Sequence, residues 1–145
     1  MTLLNNPYFV VPLIAWAIAQ ASKVIWDSVL IHRFSVRRLA TAGGMPSSHS
    51  ALVVSLTTII GRLQGVGTPL FALALIMSAV VMYDATGVRR AAGQQAMILN
   101  RLIDDLFIAH QGIHQERLRE LLGHTPIEVI AGAVLGIVIG LGLGR

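Results

Sequence analysis

The chain has 145 residues, enough for one domain, and 54% of them are hydrophobic against 12% charged, where a soluble domain carries about 25% charged residues. Lipid is therefore the expected solvent, and an ordinary water-soluble domain is excluded. Cysteine is absent, so disulfide and thiolate chemistry are excluded. The net charge of +4 is scattered around apolar segments, whereas a nucleic-acid partner requires a continuous basic stripe.

In chain order, Met1 to Pro7 holds no basic residue and no small-residue cleavage site follows it, so a removable leader is not expected. The apolar run from Tyr8 continues through Lys23 and Asp27 to Ile31, enough helix to cross a core of about 30 Å. Gln20, Lys23 and Asp27 share one face of it, which must turn toward the protein interior or the headgroup layer. His32 to Met45, with Arg33, Arg37, Arg38 and Gly43-Gly44, reads as a basic loop. Pro46 suits the first turn of a second helix, 46–64, and Thr68-Pro69 opens a third, 69–86, which Gly87 ends. From 88 to 108 the apolar residues Ala92, Ala96, Leu99, Ile103 and Leu106 fall opposite Arg90, Gln94, Arg101 and Asp105. This is the pattern of an amphipathic helix lying at the interface. A last apolar helix, 126–143, spaces Gly132, Gly136 and Gly140 by four, which permits close packing within the chain or between two copies.

The expected fold is thus an all-α polytopic membrane bundle, a single domain over 1–145 with about four crossings and one interfacial helix. Four crossings put the segments His32 to Met45 and Val88 to Thr125 on one side with eight of the eleven basic residues. By the positive-inside rule that side is cytoplasmic, and the plasma membrane is the expected location.

Two histidines stand at matching places, each beside a proline at the start of an apolar helix: Pro46-Ser47-Ser48-His49 and His124-Thr125-Pro126-Ile127-Glu128. Helix N-termini offer free N–H groups and the positive end of the dipole, so they favour an anion. Ser47 and Ser48 add hydroxyl donors, and Lys23, Arg89 and Arg90 add charge, a set able to hold phosphate without metal. Glu128, four residues after His124, can fix the imidazole tautomer so that His124 acts as nucleophile, while His49 protonates a leaving alkoxide.

The stretches Gly43 to Ala51, Tyr83 to Gln95 with Asn100, and Leu121 to Gly132 resemble the signature blocks of the divergent branch of the type 2 phosphatidic acid phosphatase superfamily, which also includes vanadium haloperoxidases. The likeness covers nearly the whole chain. Members of that superfamily cleave phosphate esters without metal through a phosphohistidine. They use three motifs: Lys, six residues, Arg-Pro; Pro-Ser-Gly-His; and Ser-Arg, five residues, His, three residues, Asp. The resemblance implies that His49 is the general acid, that His124 is the nucleophile and that Glu128 stands for the third-motif aspartate. It also implies a role in phosphate binding for the block that holds Asp84, Arg89 and Arg90, and no cofactor. The chain departs from the pattern at Leu30, where the first motif has arginine, and at Leu118, where the third does.

The expected activity is hydrolysis of a lipid phosphate or polyprenyl (di)phosphate taken from the bilayer. Its rival is a non-catalytic membrane protein that binds phospholipid headgroups or a protein partner in the same anion pocket. A small transporter that uses Lys23 and Asp27 is weaker, because four short crossings leave little room for alternating access. The expected partner is a membrane lipid, not nucleic acid, with a homodimer as one use of the glycine spacing. His110 and His114 lack a third zinc ligand, so no metal site is expected.

Overall fold

A computed structural model of the chain describes residues 2–31, 44–107 and 123–143, with the backbone alone at 26–31, 89 and 105–107. After one turn of 3-10 helix come five α-helices: α1 (Pro7–Ile31), α2 (Ser48–Gln64), α3 (Pro69–Thr86), α4 (Val88–Phe107) and α5 (Pro126–Leu143). No strand occurs among the described residues, and the chain is an all-α membrane bundle.

The helix starts follow from local chemistry. Pro7, Pro69 and Pro126 each occupy a first helical position, where the missing N–H is not needed. The side chain of Asn6 accepts from Tyr8 N–H at 3.0 Å, and that of Thr68 accepts from Phe71 N–H at 3.2 Å. Pro46 breaks the pattern. It precedes the helix instead of standing in its first turn, because Ser47 takes the N-cap position and its hydroxyl accepts from Ser50 N–H at 3.4 Å.

Helix α2 is the centre of the bundle and touches α1, α3 and α5. Its contact with α5 is the closest. A Cβ on Gly132 would run into the carbonyl oxygen of Ser47, and one on Gly136 would lie 2.7 Å from Ala51 O and 2.9 Å from Ser55 N. One on Gly140 would lie 2.7 Å from Thr58 Cβ. The glycine stripe is therefore occupied inside the chain, where it lets the two backbones touch. On another side of α2 the hydroxyls of Thr57 and Ser78 lie 2.8 Å apart and donate to the carbonyls of Val53 or Ala74. Toward α1 the contact is built from Val11, Ala15 and Ala19, spaced by four and buried with Ala51 and Ile59.

Three stretches among the described residues, Pro7–Ile25, Pro69–Asp104 and Pro126–Leu143, are long and apolar enough to cross a membrane. Helix α2, with 17 residues and many hydroxyls, does not meet that standard alone. The other three surround it, so protein atoms and not lipid solvate its serines and threonines. The stretch Pro69–Asp104 has 36 residues, about 54 Å of helix at 1.5 Å each, so α3 and α4 together exceed a core of about 30 Å.

On α4 the expected apolar face is open or half-open, with Ala96 and Ile103 half-buried. Gly93 and Asn100 are buried, while Ala92, Leu99 and Leu102 stay exposed. Val88, Ile98, Leu99 and Leu102 of α4 face outward, as do Leu73, Ile76 and Val80 of α3; lipid and not a protein core is the expected neighbour of such side chains.

Replacing Gly136 with alanine forces a methyl against two backbone atoms, and a destabilisation of about 1–3 kcal/mol is expected. Gly142→Ala meets nothing within 4 Å and is expected to change stability by less than about 0.5 kcal/mol. Thermal unfolding of the two variants in detergent measures the difference.

Candidate active site

Two backbone hydrogen bonds bring the signature segments together. Ser47 N–H donates to Glu128 O at 2.9 Å, which ties the start of α2 to the first turn of α5. His124 N–H donates to Ala85 O at 3.1 Å, which ties the entry into α5 to the end of α3. Both helix N-termini therefore open at the same end of the bundle. The opposite end is marked by the hydrogen bond from Gln64 Nε2 to Tyr8 Oη at 3.1 Å.

At the first end the rings of His49 and His124 meet edge to face, with centroids 6.3 Å apart and planes 83° apart. The two environments differ. His49 is exposed, whereas His124 is only 2% exposed, with its Nε2 enclosed by protein atoms.

Lys23 reaches the same end from α1. It is buried, and its Nζ donates to Ser48 Oγ at 3.3 Å. Gly44, at φ +88°, turns the chain over the aliphatic stem of this lysine, 3.7 Å away from a Cβ built there. That backbone conformation favours glycine. The Glu128 carboxylate lies within electrostatic reach of the ammonium. Charge, hydroxyl and two positive helix ends thus share one small region.

Ser47 is fully enclosed and its hydroxyl serves α2 itself, accepting from Ser50 N–H and, at 3.1 Å, from Ser50 Oγ. Glu128 Oε2 accepts from Thr125 N–H at 2.9 Å, and Thr125 Oγ1 accepts from Glu128 N–H at 3.4 Å. This is a reciprocal capping box. One carboxylate oxygen of Glu128, Oε2, thus serves the start of α5. The Thr-x-x-Glu spacing that signals such a box stood in the sequence beside the histidine.

Asp84 is half-buried and immediately precedes Ala85, whose carbonyl anchors His124. Arg90 is exposed. The side chains of Arg89 and Asp27 lie outside the described residues, as do His32, the arginines at 33, 37 and 38, His110 and His114. Lys23, Ser48, His49 and His124 gather at this end of the bundle. Ser50 and Thr125 were missed from sequence; both are small hydroxyl residues whose work is to hold a helix start.

Glu128→Gln keeps the box, because an amide oxygen also accepts from Thr125 N–H, and should leave the unfolding midpoint almost unchanged. Thr125→Ala removes one partner and should lower stability by about 1 kcal/mol. Paired melting curves measure both effects.

Comparison with known proteins places this geometry in context. The sequence pattern of the Divergent PAP2 family matches residues 4–139. The chain is similar to YuiD, an uncharacterized membrane protein of Bacillus subtilis (strain 168), with 39% identity over 151 aligned residues that cover 97% of this chain and 96% of the relative. No solved structure matches.

Proposed function

Because the chain belongs to the Divergent PAP2 family, we propose that it hydrolyses a lipid phosphate monoester or polyprenyl (di)phosphate at the membrane surface through a phosphohistidine. The observation that carries this reading is the meeting of His49 and His124, 6.3 Å apart by ring centroids, beside the buried Lys23.

A near-attack contact spans about 3–3.5 Å, and a general acid works within about 3 Å of its oxygen. In-line transfer sets attacking nitrogen, phosphorus, leaving oxygen and general acid in a row, so the two rings, which meet edge to face, must part to admit the phosphoryl group. His124 attacks phosphorus while the bond to the leaving oxygen breaks, an alkoxide from a monoester or a phosphate oxygen from a diphosphate, and His49 gives its proton to that oxygen. Water then surrenders a proton to His49 and attacks the phosphohistidine, which releases phosphate and restores His124. Lys23, Ser48 and the N-termini of α2 and α5 stabilise the charge that grows on the equatorial oxygens.

Phosphate release from phosphatidic acid, phosphatidylglycerophosphate and polyprenyl diphosphate by purified protein tests the reading. His124→Ala should abolish release, His49→Ala should lower it by about 10²-fold or more, and Lys23→Met should lower it by about 10²-fold. Equal rates for wild type and His124→Ala would rule out the nucleophile.

A second reading, headgroup binding without turnover, draws support from the enclosure of His124 at 2% exposure and from leucine at positions 30 and 118. Tight phospholipid binding with no phosphate release would favour it.

The reading includes a cytoplasmic site in the plasma membrane, on the positive-inside argument. The chain has no cysteine, so single cysteines report topology cleanly. Val66, exposed in the turn after α2, should when changed to cysteine react with an impermeant maleimide in intact cells. Met45→Cys, at the histidine end, should react only after the membrane is opened.

A further inference from the structure

A groove of about 400 Å³ runs between α1 and α5. Ser22 lines it from α1 and Met45 with Pro46 line it from the segment before α2, while Ala131, Val134 and Val138 line it from α5. These three residues fall on one face of α5, distinct from the Gly132, Gly136, Gly140 face that is pressed against α2. Nearly all of the lining is apolar. Val134 and Val138 are 55% and 61% exposed, so the groove opens sideways, toward bilayer hydrocarbon in a protein of this kind.

Its upper end adjoins the polar site covalently. Pro46 precedes the Ser47-Ser48-His49 segment directly, and Ser22 precedes Lys23. From Ala131 to Val138 it extends about 10 Å along α5 at 1.5 Å per residue. One amphiphile therefore fits both parts, with phosphate at Lys23 and Ser48 and a hydrocarbon chain descending beside Pro46. We infer that this groove holds the hydrocarbon chain of the substrate, so that the enzyme selects phosphates borne on a long aliphatic tail.

The inference rests on the phosphatase reading for its chemistry. The tail gains little free energy from leaving lipid for the groove, since both are apolar. Its effect is positional: a chain lodged at Pro46 fixes where the phosphate stands relative to His124, and small displacements of a reacting group cost large factors in rate.

Val134→Trp fills the groove and tests this. The ratio of the hydrolysis rate of dioleoyl phosphatidic acid to that of a water-soluble, dibutyryl phosphatidic acid should fall at least tenfold. Val80→Trp, on the exposed side of α3, should change that ratio by less than about twofold. An unchanged ratio for Val134→Trp, with His124→Ala still inactive, would overturn the groove and leave the phosphatase standing.

A measurement independent of turnover completes the test. A phosphatidic acid carrying a diazirine in its chain is photolysed with wild-type protein in nanodiscs, and labelled residues are mapped by mass spectrometry. Labelling concentrated at Met45 and residues 131–138, and suppressed by Val134→Trp, supports the groove. Labels spread evenly over the outward faces of α3 and α5 reveal bilayer contact only and overturn it, whether or not phosphate is released.

Discussion

The direct contact of backbone with backbone between α2 and α5 is the constraint from which the rest of the arrangement follows. At Gly132 and Gly136 there is room for hydrogen alone, and the carbonyls of Ser47 and Ala51 lie against those positions. Lipid gives helices no hydrophobic reason to associate, so close packing and hydrogen bonding must hold them. The contact fixes the vertical register of the two helices, and Ser47 N–H to Glu128 O at 2.9 Å locks it at the polar end. With that register set, His49, one residue inside the start of α2, and His124, two residues before the start of α5, have no choice but to be neighbours.

Onto this pair the buried lysine is added from α1. An ammonium at this depth is expensive unless it is solvated by protein groups. Here the Ser48 hydroxyl and the Glu128 carboxylate, within electrostatic reach, share the task, while the Gly44 turn packs on the aliphatic stem. The alanine stripe Ala15 and Ala19 brings α1 close enough for Lys23 to arrive beside Ser48. Packing residues with no chemistry of their own thus determine where the charge stands.

Much of this was legible in the sequence, for identifiable reasons. Thr68-Pro69 and Pro126 announce helix starts through local sterics, and the glycines at intervals of four announce a close crossing, although only the fold shows that the partner is α2. The His49 and His124 pairing was legible as a repeated pattern of proline, hydroxyl and histidine at helix starts. Other features depend on tertiary context. Pro46 looked like a first-turn residue because the neighbouring Ser47 cap competes for the same role and wins. Glu128 sits at the right interval from His124, and the capping box it forms with Thr125 was equally open to view in the Thr-x-x-Glu spacing. The groove beside Pro46 has no sequence signal at all, since Ala131, Val134 and Val138 read as ordinary lipid-facing residues until α1 is placed against them. Helix α4 shows the same limit: its periodicity was visible, but which side is covered depends on what lies against it.

Since α2 and α5 interlock through atoms that cannot yield, any breathing of this end of the protein must treat them as a single strut. Neither can slide past the other without driving a carbonyl through a Cα. The freedom to widen the space around the imidazoles then belongs to α1, which meets the strut through side chains rather than backbone, and to the junction at Gly87. A lipid arriving from the side would meet a fixed wall and a movable one, and the movable one carries the cation.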